Sequence, residues 1–503
     1  MKDREVILAE EGACFPGKTY TEVVLAPAYD EAKEHLLEPM MAINKAHLIM
    51  LYEQNLISKE EAITIARAIQ KLNMEHLQNS SYTGEYEDLF FHVENLLLEQ
   101  AGDIAGNLHL ARSRNDMCVT MFRMVMRDKL LKVLSSALVL KKQLLAFAEE
   151  HVNTLMIAHT HTQQAQPTTL AHYIMAVVDS LTRDIRRLQA AYQNCNRSSM
   201  GAAAITTSGF PISRERVMQL LGFEELVENS YDAIAGADYL GEAATAIQLA
   251  AINLGRVVQD FLLWCTQEFS VFKVSEPYVQ TSSIMPQKRN PVSFEHMRSL
   301  LSSCVGNTQS VLSMLHNTPF GDIVDTEDDM QPYAWKSAEL LEKIYRLLTC
   351  VMGTLEVNEE ILAKRAESSF ATVTELADTL VRTDSLSFRK AHHIVSKVVK
   401  KAIAEGLQAN EINLSMLNEV AQEVIGRSLY MDEMTLERAL DPAHFIEIRS
   451  LPGGPSPSEM RRLIADRQKQ CTLLAEWLEE KEKRWEQARI HLDQVLKGWS
   501  VEE

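Results

Sequence analysis

Residues 281–291, TSSIMPQKRNP, place two adjacent hydroxyls, a turn-forming proline, two cations and an amide in one short run. Held in a loop, Ser282, Lys288 and Asn290 can gather a hydroxyl, an ammonium and an amide around a single carboxylate. On composition alone the run reads more readily as a polar connection between two helices. A second run, HTHTQQAQP at 159–167, sets Thr160 beside His161. Taken singly, His161 reads as a surface or capping histidine. A third run, LHLARSRND at 108–116, offers Arg112, Ser113, Arg114 and Asn115 to an anion, or simply a basic helix start.

Long helices must position these runs. Glycine (19) and proline (14) are scarce in 503 residues, against averages of about 7% and 5%. Few chain breakers mean few connections. Apolar residues recur at helical spacing over 31–52, with Pro39 expected to kink that helix or delay its start. Helical patterns also cover 60–78 and 87–100. Segments 117–150, 168–195, 233–270, 292–316 and 332–355 are longer. The stretch 243–264 is apolar on nearly every face, which predicts the buried centre of a bundle shared between subunits. Breakers cluster at 198–213 and at LPGGPSPS, 451–458. The charged pattern 459–497 reads as a solvated helix, or alternatively a subunit contact.

The hydrophobic share of 46% and charged share of 24% are those of a folded globular protein. A net charge of −19, with no basic run, argues against nucleic acid, whose phosphates call for cationic patches. An anionic substrate then needs a local cationic site. The seven cysteines form no CxxC pair, so reduced thiols in the cytoplasm are expected rather than disulfides or a zinc site. No signal peptide or membrane span is expected; Gln248, Asn253 and Asp260 interrupt the most apolar helix.

The order of residues in 281–291 resembles the signature loop of the fumarase/aspartase superfamily, in the form found in argininosuccinate lyases. HTHTQQAQP is similar to that family's Thr-His segment, and LHLARSRND to its Arg-Ser-Arg-Asn-Asp run. NSYDA at 229–233 and LADTLVRTDSLSFRKAHHIV at 376–395 resemble further family segments. Three separate motifs in order are more specific than any one. The resemblance implies an all-α, three-domain fold: 1–112 N-terminal, 113–362 a central long-helix bundle, 363–503 C-terminal with an added charged tail. It implies a homotetramer whose active sites are shared between subunits.

The reaction so implied is anti elimination of an amine from an N-substituted aspartate, giving fumarate. The resemblance makes Ser282 the base, acting as an alkoxide, and His161 the acid that protonates the departing nitrogen directly or through water, with Glu295 orienting His161; the exchanged assignment, His161 as base and Ser282 as acid, is the alternative. Lys288 and Asn290 would stabilise the doubly charged aci-carboxylate, where preorganised donors matter most. Arg112, Ser113, Arg114, Asn115 and Thr160 would hold the succinyl carboxylates. No metal or organic cofactor is implied, since the chemistry is proton transfer.

Departures from the family pattern cluster at the leaving-amine end. Within TPFGDIVDTEDDMQP, 318–332, Asp322, Glu327 and Met330 fall where a Tyr, a Gln and a Lys are usual. Ala26 replaces a Ser, Phe90 a His (with His92 nearby), Val292 an Asp, and Thr281 a Gly that would leave the loop freer. The fumarate-forming end is kept and the amine end is more acidic. The resemblance makes argininosuccinate the first substrate expected. The alternatives are another N-substituted aspartate, whose leaving amine the departures make more cationic or less carboxylated than arginine, a silent homologue like the lens crystallins of the family, and adenylosuccinate.

Overall fold

The computed structural model describes residues 4–501. Five long helices carry the architecture: α1 (Arg114–Glu150), α2 (Leu170–Cys195), α3 (Asp238–Trp264), α4 (Val292–Leu315) and α5 (Gln331–Met352). Each packs on the next and α5 returns to α1, closing a five-helix bundle. Within three residues at either end these are the helices that periodicity predicts, apart from α3, whose ends are trimmed by five and six. The expected helix over 31–52 is instead two, Ala26–His35 and Leu37–Glu53, parted at Leu36. Pro39 falls in the first turn of the second, where a missing N–H costs nothing, so it marks a late start.

Helix direction sets which functional runs share an end. α1 begins at the 108–116 run, and after α1 the chain makes an antiparallel hairpin, β1 (Leu155–Thr160) and β2 (Gln163–Thr169), before α2. The ring contacts Phe147–Phe272, Phe261–Phe272 and Phe261–Phe294 tie the end of α1, the end of α3 and the start of α4 together. The loop 281–291 therefore sits at the hairpin end. The far end gathers the start of α1, the end of α4 and the 318–330 connection.

α3 is long and apolar enough by composition to cross a bilayer; here it packs against α2, α4 and α5. It is not covered all round, as its sequence suggests. Leu249, Ile252 and Leu263 form an open face in the single chain.

The final helix, α6 (Pro457–Val501), corrects another expectation. Between its charges runs a buried stripe of Met460, Ile464, Cys471, Leu474, Leu478, Leu492 and Leu496. That stripe joins the same large core as the bundle and the N-terminal helices. Arg467–Asp179, Lys481–Glu224 and Lys45–Asp493 pairs flank it. Residues between Leu376 and Leu440 form a separate core. The charges of α6 thus line its outer face, and the helix clamps α1 to the N-terminal helices.

Candidate active site

The loop 281–291 is closed by a two-rung ladder, β3 (Gln280–Thr281) against β4 (Arg289–Asn290). Thr281, in the usual glycine place, is one of those rungs, with ordinary strand geometry. The Arg289 guanidinium bonds Glu276 and the Val274 carbonyl, so it anchors the loop from outside. Inside the turn, the Ser282 hydroxyl oxygen accepts the Met285 N–H at 3.1 Å and the Ile284 N–H at 3.4 Å. Donors aimed at this oxygen favour its ionised form. Lys288 is exposed and Asn290 half-buried. Ile284, at 83% exposure, stands free at the tip.

The hairpin presents Thr160 and His161 to solvent. Thr160 pairs with Gln163, so His161 and Thr162 are the whole turn, and both have positive φ, 51° and 62°. Two left-handed residues are what a two-residue hairpin turn demands, normally met by Asn-Gly. Lacking glycine, this turn carries strain and gave the sequence reading no hairpin signal. Ile157 packs on Ala366 and Ala371, and Gln166 bonds Thr374, so segments after α5 brace the hairpin. Glu295 stands exposed on the first turn of α4, beside Val292.

At the opposite end, Ser113 caps α1, and its backbone N–H bonds Asp116 in a capping box. Arg114 pairs with Asp88 at 2.7 Å and Glu87 at 3.1 Å and lies over the Phe91 ring. Asn115 donates its side-chain amide to Asp322. Arg112, expected to hold a carboxylate, is drawn inside the protein. It is 8% exposed and bonds Asn44 at 2.8 Å. Burial pushes its guanidinium down to about 10. The neighbouring His47 is buried too, and burial followed by Arg112 holds it near 3, hence neutral.

The acidic substitutions sit together here. Glu327, on a π-helical turn (Asp325–Asp329), is pushed up to about 7 by burial, then by Asp322 and Asp328. Burial also raises Asp322. Met330 does not join them; it is wholly buried in the large core. Phe90 likewise is a packing residue, and His92 bonds Tyr29 at 2.7 Å. Sequence reasoning missed Asp88, Asp116 and Asp328. The Ser113-x-x-Asp116 spacing was the available signal for Asp116.

One chain cannot bring all three runs together. α1, at 37 residues, spans about 55 Å, and α4, at 24, about 36 Å. Ser282 and His161 lie at one end of these rods, Asn115 and Asp322 at the other.

A family model described as lyase matches residues 29–306, and one described as argininosuccinate lyase C-terminal matches 370–447. Argininosuccinate lyase 2 of Agrobacterium fabrum is 42% identical over 455 residues, 90% of each chain. Argininosuccinate lyase of Methanosarcina barkeri is 36% identical over 447 residues, 88% of this chain and 89% of its own. Among solved structures, an EDDS lyase variant with bound fumarate is 29% identical, with a TM-score of 0.86 over 97% of this chain and 96% of that one. A class II fumarase from Schistosoma mansoni, 18% identical with a TM-score of 0.67 over 87% and 94%, shares the fold. Bundle, loop and matches together define a carbon–nitrogen lyase of the fumarase/aspartase superfamily, the class that releases fumarate from N-substituted aspartates. Within it, the chain belongs to the argininosuccinate lyase family.

Proposed function

We propose that this enzyme eliminates a positively charged amine from an N-substituted aspartate, in a cytoplasmic homotetramer whose sites draw on different subunits. The observation that carries the reading is the acidic set Asp322, Glu327 and Asp328 beside Asn115 and Arg114. Carboxylates crowded at the amine end repel an α-carboxylate and attract an ammonium. Argininosuccinate is the second reading, favoured by the 42% identity to a relative of that name.

Ser282 takes the proton next to the succinyl carboxylate. The Met285 and Ile284 N–H groups and Lys288 stabilise its alkoxide. Lys288 and Asn290 then hold the charge that develops on the carboxylate. His161 protonates the leaving nitrogen, with Glu295 fixing the imidazole across a subunit contact. Ser113, Asn115 and Thr160 bind the succinyl carboxylates; Arg112 supports them through Asn44 rather than by touching substrate. The open face of α3, Leu249, Ile252 and Leu263, is the surface a shared core would cover. The three units then run 1–112, 113–362 and from 363 on, with α6 folded back over the first two.

The test incubates the enzyme with fumarate and a panel of amines: arginine, simple diamines, polyamines and neutral amines. Loss of fumarate absorbance and the adduct mass report reaction. Diamines reacting faster than arginine support the proposal; arginine as the sole reactive amine establishes the second reading.

A further inference from the structure

The buried carboxylate of Asp116 links two segments that the sequence motifs do not connect. One oxygen accepts the Ser113 N–H at 2.9 Å, fixing the turn that carries Ser113 and Asn115. The other accepts the N–H groups of Gly201, at 2.8 Å, and Ala203, at 3.0 Å. Beyond Ala203 the chain curls into a tight knuckle: the N–H groups of Ile205 and Thr207 both bond the Ala202 carbonyl, at 3.1 and 2.8 Å. Ala203, Ile205 and Thr207 have φ of 52°, 108° and 63°. Three non-glycine residues in this region within five positions are costly, two of them β-branched. Gly201, at φ 80°, admits no side chain, because a Cβ there would lie 2.6 Å from Arg214 Cγ.

The knuckle is held from below and behind. Arg214 clamps the Met200 and Val227 carbonyls. Ala202 and Ile205 pack on Val227, Ala233 and Ile234. The short helix bearing Ala233 also carries Tyr231, whose hydroxyl donates to the Phe320 carbonyl at 3.2 Å and whose ring stacks on Phe320. Phe320 leads to Asp322, which returns to Asn115. The contacts form a closed ring around the Asn115 end of the bundle. What the ring turns outward is a pair of exposed hydroxyls, Thr206 and Thr207.

We propose that residues 203–207 form a further wall of the substrate cleft, with Thr206 and Thr207 as carboxylate-holding hydroxyls and Asp116 as the positioning residue that keeps them in register with Ser113 and Asn115. The inference rests on the fumarate-releasing reading. Backbone strain maintained against three left-handed residues, on a surface that adjoins the substrate turn, is the mark of a segment shaped for contact rather than for stability. Hydroxyls on a braced turn bind a carboxylate with little ordering cost.

The test uses the intact enzyme and variants Thr206→Ala, Thr207→Ala, the two Thr→Ser counterparts, and Asp116→Asn. KM, kcat, melting temperature and calorimetric binding of fumarate are measured for each. The alanine variants are expected to raise KM and the fumarate Kd about tenfold, as for loss of a hydrogen bond to a charged group, without lowering the melting temperature. Serine restores both. Asp116→Asn raises KM more than it lowers kcat. Alanine variants matching an active parent in KM and Kd overturn the proposal. So does an Asp116→Asn enzyme that loses kcat and melting temperature together at unchanged KM, since Asp116 is then only a helix cap. A parent that neither binds fumarate nor reacts overturns the underlying reading instead, a result seen before any variant is made.

Discussion

The side-chain amide of Asn115 donates to the carboxylate of Asp322, 207 residues away in sequence. One partner belongs to the run that resembles a succinate-holding motif, the other to the stretch where the family pattern is lost. Their contact puts the altered residues against the kept ones. Replacing Asp322 by Ala should lower kcat/KM for diamine substrates by about 10- to 100-fold, the scale on which unpaired polar partners discriminate. Fumarate affinity should change little. Steady-state assays on two amines of different charge decide it; equal losses for both would remove Asp322 from amine selection.

Glu327, held near 7 by burial and its acidic neighbours, makes a pH prediction. Its folded-state affinity for a proton exceeds that of an unfolded Glu. Native protein therefore binds more protons between about pH 4.5 and 7, and its stability falls as pH rises through that window. Binding of a cationic amine runs the other way, gaining as Glu327 ionises. Glu327→Gln should flatten both dependences: melting temperature would vary less from pH 5 to 8, and the acidic limb of kcat/KM near pH 7 would disappear. An unchanged limb would assign it to another group.

The hairpin turn at His161 and Thr162 holds two left-handed residues with no glycine. Thr162→Gly should remove steric cost of roughly 1 kcal/mol, partly offset by the entropy glycine brings to the unfolded chain. A small rise in melting temperature is expected. Activity should fall if the stiff turn aims His161, and kcat is the quantity to watch. A lower melting temperature would mean the turn is unstrained.

Ser282 and Asn115 lie at opposite ends of the bundle, so a site containing both must cross a subunit boundary. Ser282→Ala and Asn115→Ala enzymes should each be nearly inactive yet folded. Mixed tetramers formed by co-refolding equal amounts should regain about a quarter of parental activity, as random assortment gives when two subunits complete each site. No recovery in a verified mixed tetramer would return the chemistry to a single chain.

Leu478 on α6 is 5% exposed within the large core. Leu478→Ala should cost about 2–4 kcal/mol, read by denaturant melts. Loss near zero would restore the view of α6 as a solvated tail. For comparison, Asn44→Ala, which strips a bond from buried Arg112, should cost about 1–3 kcal/mol and raise KM, since Arg112 then no longer holds its place beside Ser113.

Much of this enzyme was legible in its order of residues. Periodicity located the five bundle helices, because burial of one apolar stripe imposes a helical repeat wherever it occurs. Resemblance to family motifs, rather than spacing alone, singled out Ser282, His161, Lys288 and Asn115 as candidates, because side chains of these types also serve plain loops and helix starts. The turn at His161 escaped notice, since its left-handed backbone is imposed by the strands it joins and not by glycine.

Long-range partnership was settled only by folding. Arg112 and Arg114 sit two positions apart in one motif, yet one bonds Asn44 inside the protein and the other Asp88 and Glu87 at the rim. α6 shows charge along its length and hides an apolar stripe against α1 and the N-terminal helices. Asp116 met the 199–208 segment, and Asn115 met Asp322, because five packed rods fix which ends coincide. Residue type specifies what a side chain can bond; only the packing of distant helices specifies what it meets.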